Sequence, residues 1–339
     1  MTSNPSGPSG SAEGPRAAAA EVPAAPARRP RPVKWRLEWA AIAALGALCR
    51  ALPLPAAQCL AWFFARLAFS AMRGRTREAE RRIRSSVGLP AREARRAAWL
   101  SLRNTAFNLV DMLRIANTGE REIARLLPQA PECIARIREA LAEADGRGVI
   151  LALPHCGNWD LAGSVVELAG IPIFSVAARQ RNPYVNKLLN DMRGGHGMAV
   201  LERDGGPRVF MEMLRRVKRG EVFAILPDTR SRVPALEVPF LGGTANLARG
   251  MGLLACQARV PVVPLVMRRV AWRKFEVEFF PILRPDPAAP REEEEMRLTR
   301  ETIARFDEAI RRDPGQWFWY NKRWVLDPVE PPAGKSAPK

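Results

Sequence analysis

The stretch Gly148-Val-Ile-Leu-Ala-Leu-Pro-His-Cys-Gly-Asn-Trp-Asp-Leu-Ala-Gly163 decides how this chain is read. Val149–Leu153 is a short unbroken apolar run, the mark of a strand buried on both faces. Asn158–Ala169 has helical spacing, with an asparagine suited to cap the first turn. His155 falls in the connection and is one of only two histidines among 339 residues. Asp160 follows five residues later. A base and a carboxylate just past a strand's C-terminal end stand where open α/β sheets carry their chemistry.

Downstream the same alternation repeats. Apolar runs at Ile171–Val176, Met198–Leu201, Val222–Leu226, Pro261–Met267 and Phe275–Phe280 predict strands. Tyr184–Arg193, Arg208–Lys218, Ala245–Ala258 and Glu293–Arg312 predict helices between and after them. Strands alternating with helices imply an α/β domain with a mostly parallel central sheet flanked by helices.

Upstream, Glu78–Ala116 reads as two helices broken near Gly88-Leu-Pro90, and Glu120–Ala144 as helix interrupted at Pro128 and Pro131. Leu37–Met72 is the most apolar stretch. Its two arms, Trp39–Cys49 and Ala56–Phe69, flank Pro53-Leu-Pro55, and neither reaches the roughly 20 apolar residues of a spanning helix. Arg29, Arg31, Lys34 and Arg36 precede them, and Arg73, Arg75, Arg77, Arg81 and Arg82 follow. Basic flanks on both sides favour a Pro-broken helical hairpin in the inner leaflet, with both ends cytoplasmic. A single tilted span and a soluble helix pair on the core are the alternatives. The resulting division is a disordered Pro/Ala/Ser/Gly-rich tail over 1–34, a membrane-anchoring segment over 35–72, a main domain over 73–326 and a loose tail over 327–339.

The net charge is +18, and residues 1–100 hold 17 Lys and Arg against 6 Asp and Glu. Such a basic N-terminal third calls for an anionic partner, a membrane surface or a nucleic acid. No helix-turn-helix, zinc or RNP pattern supports the nucleic acid. Five scattered cysteines without a CxxC pair give no structural zinc site and fit a reducing compartment.

The residues by themselves leave His155 open between a general base, with Asp160 fixing its tautomer, and a structural histidine bonded to nearby backbone. The Gly157 amide, or another near the helix N-terminus, is a candidate donor to developing negative charge. Cys156 is a nucleophile of a thioesterase or a half-buried thiol. Arg179, Arg181 and Arg193 are candidates to clamp phosphate or an oxyanion, or form a solvated face. Asp228 is a second carboxylate at a strand end, or a turn aspartate. Pro239-Phe-Leu-Gly-Gly-Thr-Ala-Asn-Leu-Ala-Arg-Gly250 puts glycines before an expected helix, a phosphate cradle or a tight turn, without a nucleotide-binding spacing. Gln316-Trp-Phe-Trp-Tyr-Asn-Lys-Arg-Trp324 suits either a bilayer interface or the closing of a core.

Together these pieces resemble the lipid A lauroyl/myristoyl acyltransferase family of the lysophospholipid acyltransferase superfamily. Its mark is a histidine and, after four residues, an acidic residue, here His155-Cys-Gly-Asn-Trp-Asp160. Four further blocks follow in order: Val176-Ala-Ala-Arg-Gln-Arg-Asn-Pro-Tyr-Val-Asn-Lys-Leu-Leu-Asn-Asp-Met-Arg193, Gly220-Glu-Val-Phe-Ala-Ile-Leu-Pro-Asp228, Val238-Pro-Phe-Leu-Gly-Gly-Thr-Ala245 and the aromatic block Gln316–Trp324. The resemblance covers about Leu37 to Leu326. It implies a glycerol-phosphate-acyltransferase-like α/β fold with N-terminal membrane-associated helices, at the bacterial inner membrane with the catalytic domain on the cytoplasmic side. It also implies transfer of a fatty acyl group from acyl carrier protein, or coenzyme A, to a hydroxyl of a glycolipid acceptor such as a lipid A precursor, with no metal or other cofactor. Carried over, His155 is the general base oriented by Asp160, and Arg193, Asp228 and Arg179 are further substrate-site residues. Pro154 stands where lipid A members usually have Asn, and Asp160 where they often have Glu. The surroundings of Asp160 are also similar to acyltransferases of phosphatidylinositol mannosides, although Ala178 stands where those tend to have Glu.

Overall fold

A computed structural model describes residues 32–115, 119–193, 198–203 and 206–329. The expected tail over 1–34 lies outside these residues except for Pro32, Val33 and Lys34, which open the first helix.

Six strands form the central sheet: β1 (Ile150–Ala152), β2 (Ile173–Ala177), β3 (Ala199–Glu202), β4 (Val222–Ile225), β7 (Val262–Ala271) and β8 (Lys274–Phe279). Their spatial order is β3-β2-β4-β1-β7-β8. All neighbouring pairs are parallel except β7 and β8, which form an antiparallel hairpin at one edge. The sheet is thus the mostly parallel one that the alternation of strands and helices predicts.

The strand β1 is central because both of its faces are apolar. Ile150 and Ala152 pack into a core shared with α9 (Pro207–Lys218), α10 (Gly250–Ala258) and α11 (Arg291–Arg312). Val149, Leu151 and Leu153 point the other way, into a core shared with α5 (Glu120–Leu126), α6 (Ala130–Glu143) and α7 (Trp159–Leu168). The period of two that reverses successive side chains is what divides one apolar run between two layers. Gly148 lets β1 start close beside β4: a Cβ there would lie 1.9 Å from the Glu221 carbonyl oxygen.

One expected helix is corrected. Ala245–Ala258 does not form a single helix, because β6 (Gly243–Leu247) pairs with β5 (Leu236–Phe240) as an antiparallel hairpin and α10 begins only at Gly250. Leu236, Val238 and Phe240 are buried while Glu237 and Pro239 face outward, the alternation of a half-buried strand. Leu241 and Gly242 both have positive φ, 51° and 80°, as a two-residue turn of the primed type requires. The Leu241 N–H donates to Asp307 at 2.8 Å, which holds the non-glycine residue in place. The glycines therefore make a hairpin turn, not a phosphate cradle at a helix start.

At the N-terminal side, α1 (Pro32–Ala51) and α2 (Leu54–Ala71) are separated at Pro53. Both pack on α4 (Ala91–Ile115), which follows α3 (Arg73–Val87). Arg114 of α4 donates to the Leu52 carbonyl at 2.8 Å and also to that of Cys49, satisfying carbonyls at the end of α1. In α2 a stripe of Leu54, Ala57, Gln58, Ala65 and Phe69 is buried, and the Gln58 amide donates to the Trp272 carbonyl at 2.8 Å. Phe63, Phe64 and Leu67 are exposed, as are Val33, Leu37, Leu45 and Leu48 of α1. Among the described residues α2 is the one helix long and apolar enough to cross a membrane.

The C-terminal aromatic block closes the core. Trp317, Trp319, Tyr320 and Trp324 are buried against α3 and α4, and Tyr320 donates its hydroxyl to the Ala98 carbonyl at 3.0 Å. Of the two readings open in the sequence, bilayer interface or core, the core is the one observed.

Candidate active site

Strand pairing builds the site. Ala152, the last residue of β1, is paired with Ile225, the last residue of β4. Each strand then leaves the sheet through Leu-Pro: Leu153-Pro154-His155 and Leu226-Pro227-Asp228. Neither proline has an N–H for the ladder, and both chains leave the sheet at the same level. His155 and Asp228 are each three residues past a paired residue, and they meet.

The His155 Nδ1 lies 2.7 Å from Asp228 Oδ1, and the His155 backbone N–H donates to Asp228 Oδ2 at 2.7 Å. The Trp317 indole N–H donates to the same Oδ2, also at 2.7 Å. Asp228 is completely buried, whereas 23% of the His155 side chain remains exposed. A buried carboxylate needs such partners to stay charged. Burial pushes the Asp228 carboxyl up, but the charge and hydrogen bond of His155, then Trp317, outweigh it, and the net displacement is downward. Burial likewise pushes His155 down, and Asp228 by charge and hydrogen bond, with Asp160 by charge, brings it above its ordinary value. An ionised carboxylate only accepts, so in the neutral ring the Nδ1 facing it carries the proton and Nε2 keeps its lone pair. A base with a fixed tautomer, on the rim of the sheet, is what this arrangement provides chemically.

This geometry revises the expected pairing. Asp160 was expected to orient the ring, but Asp228 holds Nδ1. Asp160 lies in the first turn of α7, and its charge favours the protonated imidazole. The neighbouring Trp159 ring packs against the imidazole at 5.1 Å between centroids. Asn158 caps α7 as its spacing suggests, with Oδ1 accepting from the Leu161 N–H at 3.0 Å.

The Gly157 amide does not face the site. It donates to the Gln316 carbonyl at 3.3 Å, and its φ of +55° places a would-be Cβ 2.2 Å from the Met267 carbonyl oxygen. Only glycine passes there. Cys156 is buried in the core, its backbone bridged to Trp317, and burial followed by the charge of Asp228 pushes the thiol well above its ordinary range. A thiolate nucleophile is disfavoured by that setting.

Arg179 is 65% exposed and lies 3.9 Å from Glu202. Arg193 is the last residue of α8 (Pro183–Arg193), and its side chain lies outside the described residues, as does His196. The structure thus brings His155, Asp228 and Asp160 together. Trp317 joins them as the donor that sequence reasoning missed. Its signal was weak, since nothing in an aromatic run says which indole turns inward.

An α/β sheet with a histidine–aspartate pair at adjacent parallel strand exits defines the class. Residues 27–325 match the model of the bacterial lipid A biosynthesis acyltransferases, and the chain belongs to that family. It is 26% identical over 224 residues to a phosphatidylinositol mannoside acyltransferase of Mycobacterium tuberculosis (strain CDC 1551 / Oshkosh), covering 64% of this chain and 66% of that relative. It is 29% identical over 182 residues to a lipid A biosynthesis acyltransferase of Haemophilus influenzae, covering 52% and 54%. A phosphatidylinositol mannoside acyltransferase of Mycolicibacterium smegmatis is 26% identical over 184 residues, covering 54% and 58%. The matches thus span between about half and just under two thirds of these relatives' own lengths.

Proposed function

We propose that this protein is a membrane-associated O-acyltransferase that moves a fatty acyl chain from a thioester, on acyl carrier protein or coenzyme A, to a hydroxyl of a glycolipid. The observation that carries this reading is the His155–Asp228 pair, which leaves a lone pair on Nε2 at the rim of the sheet. Nε2 takes the proton of the acceptor hydroxyl as its oxygen attacks the thioester carbonyl. The tetrahedral intermediate then loses the C–S bond, and the imidazolium returns the proton to the departing thiolate. A thioester is already activated, so the step needs neither metal nor ATP, and the setting of Cys156 favours direct transfer over an acyl-cysteine. Asp160 adds to the field that favours the imidazolium, while Arg193 and Arg179 supply positive charge for anionic groups of the substrates.

The acceptor we favour is a lipid A precursor, as the family's description suggests. A phosphatidylinositol mannoside is the second reading, supported by the mycobacterial relatives and by Asp160. Anchoring fits a hairpin lying in the membrane surface better than a span. One flank of α2 is engaged with α4, and Gln58 near its N-terminal end is tied to Trp272, while Phe63, Phe64 and Leu67 face outward. A helix with a protein-facing flank and an apolar free flank suits an interface. The basic residues of α3 beside it favour the anionic inner leaflet on the cytoplasmic side and an acidic carrier protein. Incubating the purified protein with palmitoyl thioesters and each of the two acceptors, followed by lipid mass spectrometry, tests the reading. An acylated lipid A precursor is expected, and no acylated product with either acceptor refutes it.

A further inference from the structure

Behind the histidine loop lies a buried ion pair that the proton-transfer step does not use. Asp111 of α4 and Arg269 near the end of β7 are joined through Arg269 Nη2 and Asp111 Oδ2, with side chains 11% and 1% exposed. The guanidinium also donates to Asn108 Oδ1 at 2.8 Å and to the Trp272 carbonyl at 2.9 Å, and stacks 4.3 Å from the centre of Phe275. Burial pushes the Asp111 carboxyl up and Arg269 opposes it.

Three links run from this cluster to the loop that carries His155. The Asn158 amide donates to Asp111 Oδ2 at 3.2 Å while its oxygen caps α7. The Asn108 amide donates to the Gly157 carbonyl. The Arg269 backbone forms a two-way clasp with the Gln316 side chain, 2.8 and 3.1 Å, and the Gln316 carbonyl accepts from Gly157. The helix start fixed in this way carries Trp159, packed on the imidazole, and Asp160, whose charge acts on it.

We propose that Asp111 and Arg269, acting through Asn158 and Asn108, are positioning residues that set the start of α7 against His155. The proposal rests on the acyltransferase reading for its kinetic part only. A charged pair on α4 and β7 gives the loop a rigid reference on two elements that do not themselves carry the reacting groups. Catalytic geometry is sensitive to such support, since a displacement of about 1 Å can cost about 100-fold in rate.

Asn158→Asp isolates the link. It keeps the cap acceptor, and aspartate caps a helix as well as asparagine does. It replaces the donor facing Asp111 with a second carboxylate. Asn158→Ser also keeps a cap acceptor, but it withdraws the donor to Asp111 without adding charge. With two histidines in the chain, selective histidine labelling and His196→Gln assign the His155 ring signals by NMR. The ring protons, shifted by the Trp159 indole, are expected to move in both variants. Transfer of palmitate from palmitoyl-coenzyme A is expected to lose about 10- to 100-fold in kcat with little change in KM. An unmoved His155 signal in a folded Asn158→Asp protein overturns the proposal. If Asn158→Asp does not fold, Asn158→Ser decides alone: an unmoved His155 signal overturns the proposal, and a displaced one supports it. Absence of transfer by the unmodified protein counts against the acyltransferase reading, and the His155 signal still decides the positioning.

Discussion

Asp228→Asn replaces one oxygen of the carboxylate with an amide, and the structure dictates which one. Oδ2 accepts from two donors, the His155 backbone N–H and the Trp317 indole, both at 2.7 Å. The asparagine oxygen must stay there, so the amide nitrogen faces Nδ1, 2.7 Å from the present Oδ1. Nδ1 then becomes an acceptor and the ring proton moves to Nε2, which no longer has a lone pair for the substrate hydroxyl. A wrong tautomer in an otherwise intact acid–base pair costs about 10³- to 10⁴-fold in rate, or about 4–5.5 kcal/mol of barrier. Folding should suffer far less, by about 1–2 kcal/mol, because every hydrogen bond keeps a partner. Asp228→Ala differs, since it leaves two buried donors without an acceptor at about 1–3 kcal/mol each. The assay is acyl transfer from palmitoyl-coenzyme A followed across pH, with a thermal melt of each variant. Removing the carboxylate also removes the charge that raises His155, so the acid limb of any residual activity should move to lower pH. A folded Asp228→Asn protein that keeps more than about a tenth of the parent kcat/KM refutes the tautomer argument.

Trp317→Phe keeps most of the buried ring but deletes one donor to Asp228, and should lower kcat about 10- to 150-fold by the worth of a hydrogen bond to a charged group, about 1.5–3 kcal/mol, measured with the same assay. For the unmodified protein, the raised His155 predicts that activity falls as pH drops through a value above the ordinary 6.5 or so, which a kcat/KM profile reads directly. Stability should follow the same pair. The part from His155, raised in the folded state, is complete below about pH 6.5 and fades as pH rises through its folded value. The part from Asp228, lowered, is complete above about pH 4 and fades as pH falls through its folded value. Melting temperatures across pH should therefore show the pair's full contribution between these limits. Replacing Phe63, Phe64 and Leu67 together with serine should weaken flotation with anionic vesicles by at least about 100-fold, given about 2 kcal/mol per buried side chain, while the melting temperature stays put because all three are exposed. Undiminished flotation would count against the interfacial hairpin.

How far the sequence went depended on whether a feature is local. Val149–Leu153 and Val222–Leu226 read as strands because an apolar run ended by Pro is a local signal, and each run contains the strand it predicts, β1 and β4. That these two strands are neighbours is not local. The chain makes β2 and β3 before β4, and β4 then inserts between β2 and β1. Without that order Asp228 reads as one more carboxylate and Asp160, closer in sequence, takes its place as the partner of His155. The repeated Leu-Pro exit before both residues was the available clue. The β5–β6 hairpin is obscured by the small residues of Ala245–Ala258, which read as helix, although Leu236, Val238 and Phe240 already alternate. Trp317 and the Asp111–Arg269 pair depend on contacts across 89 and 158 residues, which no periodicity reveals.

The central claim is that His155, not Cys156, performs acyl transfer by direct proton abstraction. Purified His155→Ala and Cys156→Ala proteins, each shown to be folded, should be compared for palmitoyl transfer to a lipid A precursor and to a phosphatidylinositol mannoside. The account predicts a loss of about 10²- to 10⁴-fold for His155→Ala and near-parent activity for Cys156→Ala. Near-parent transfer by His155→Ala, or a trapped acyl-cysteine at position 156, would contradict it.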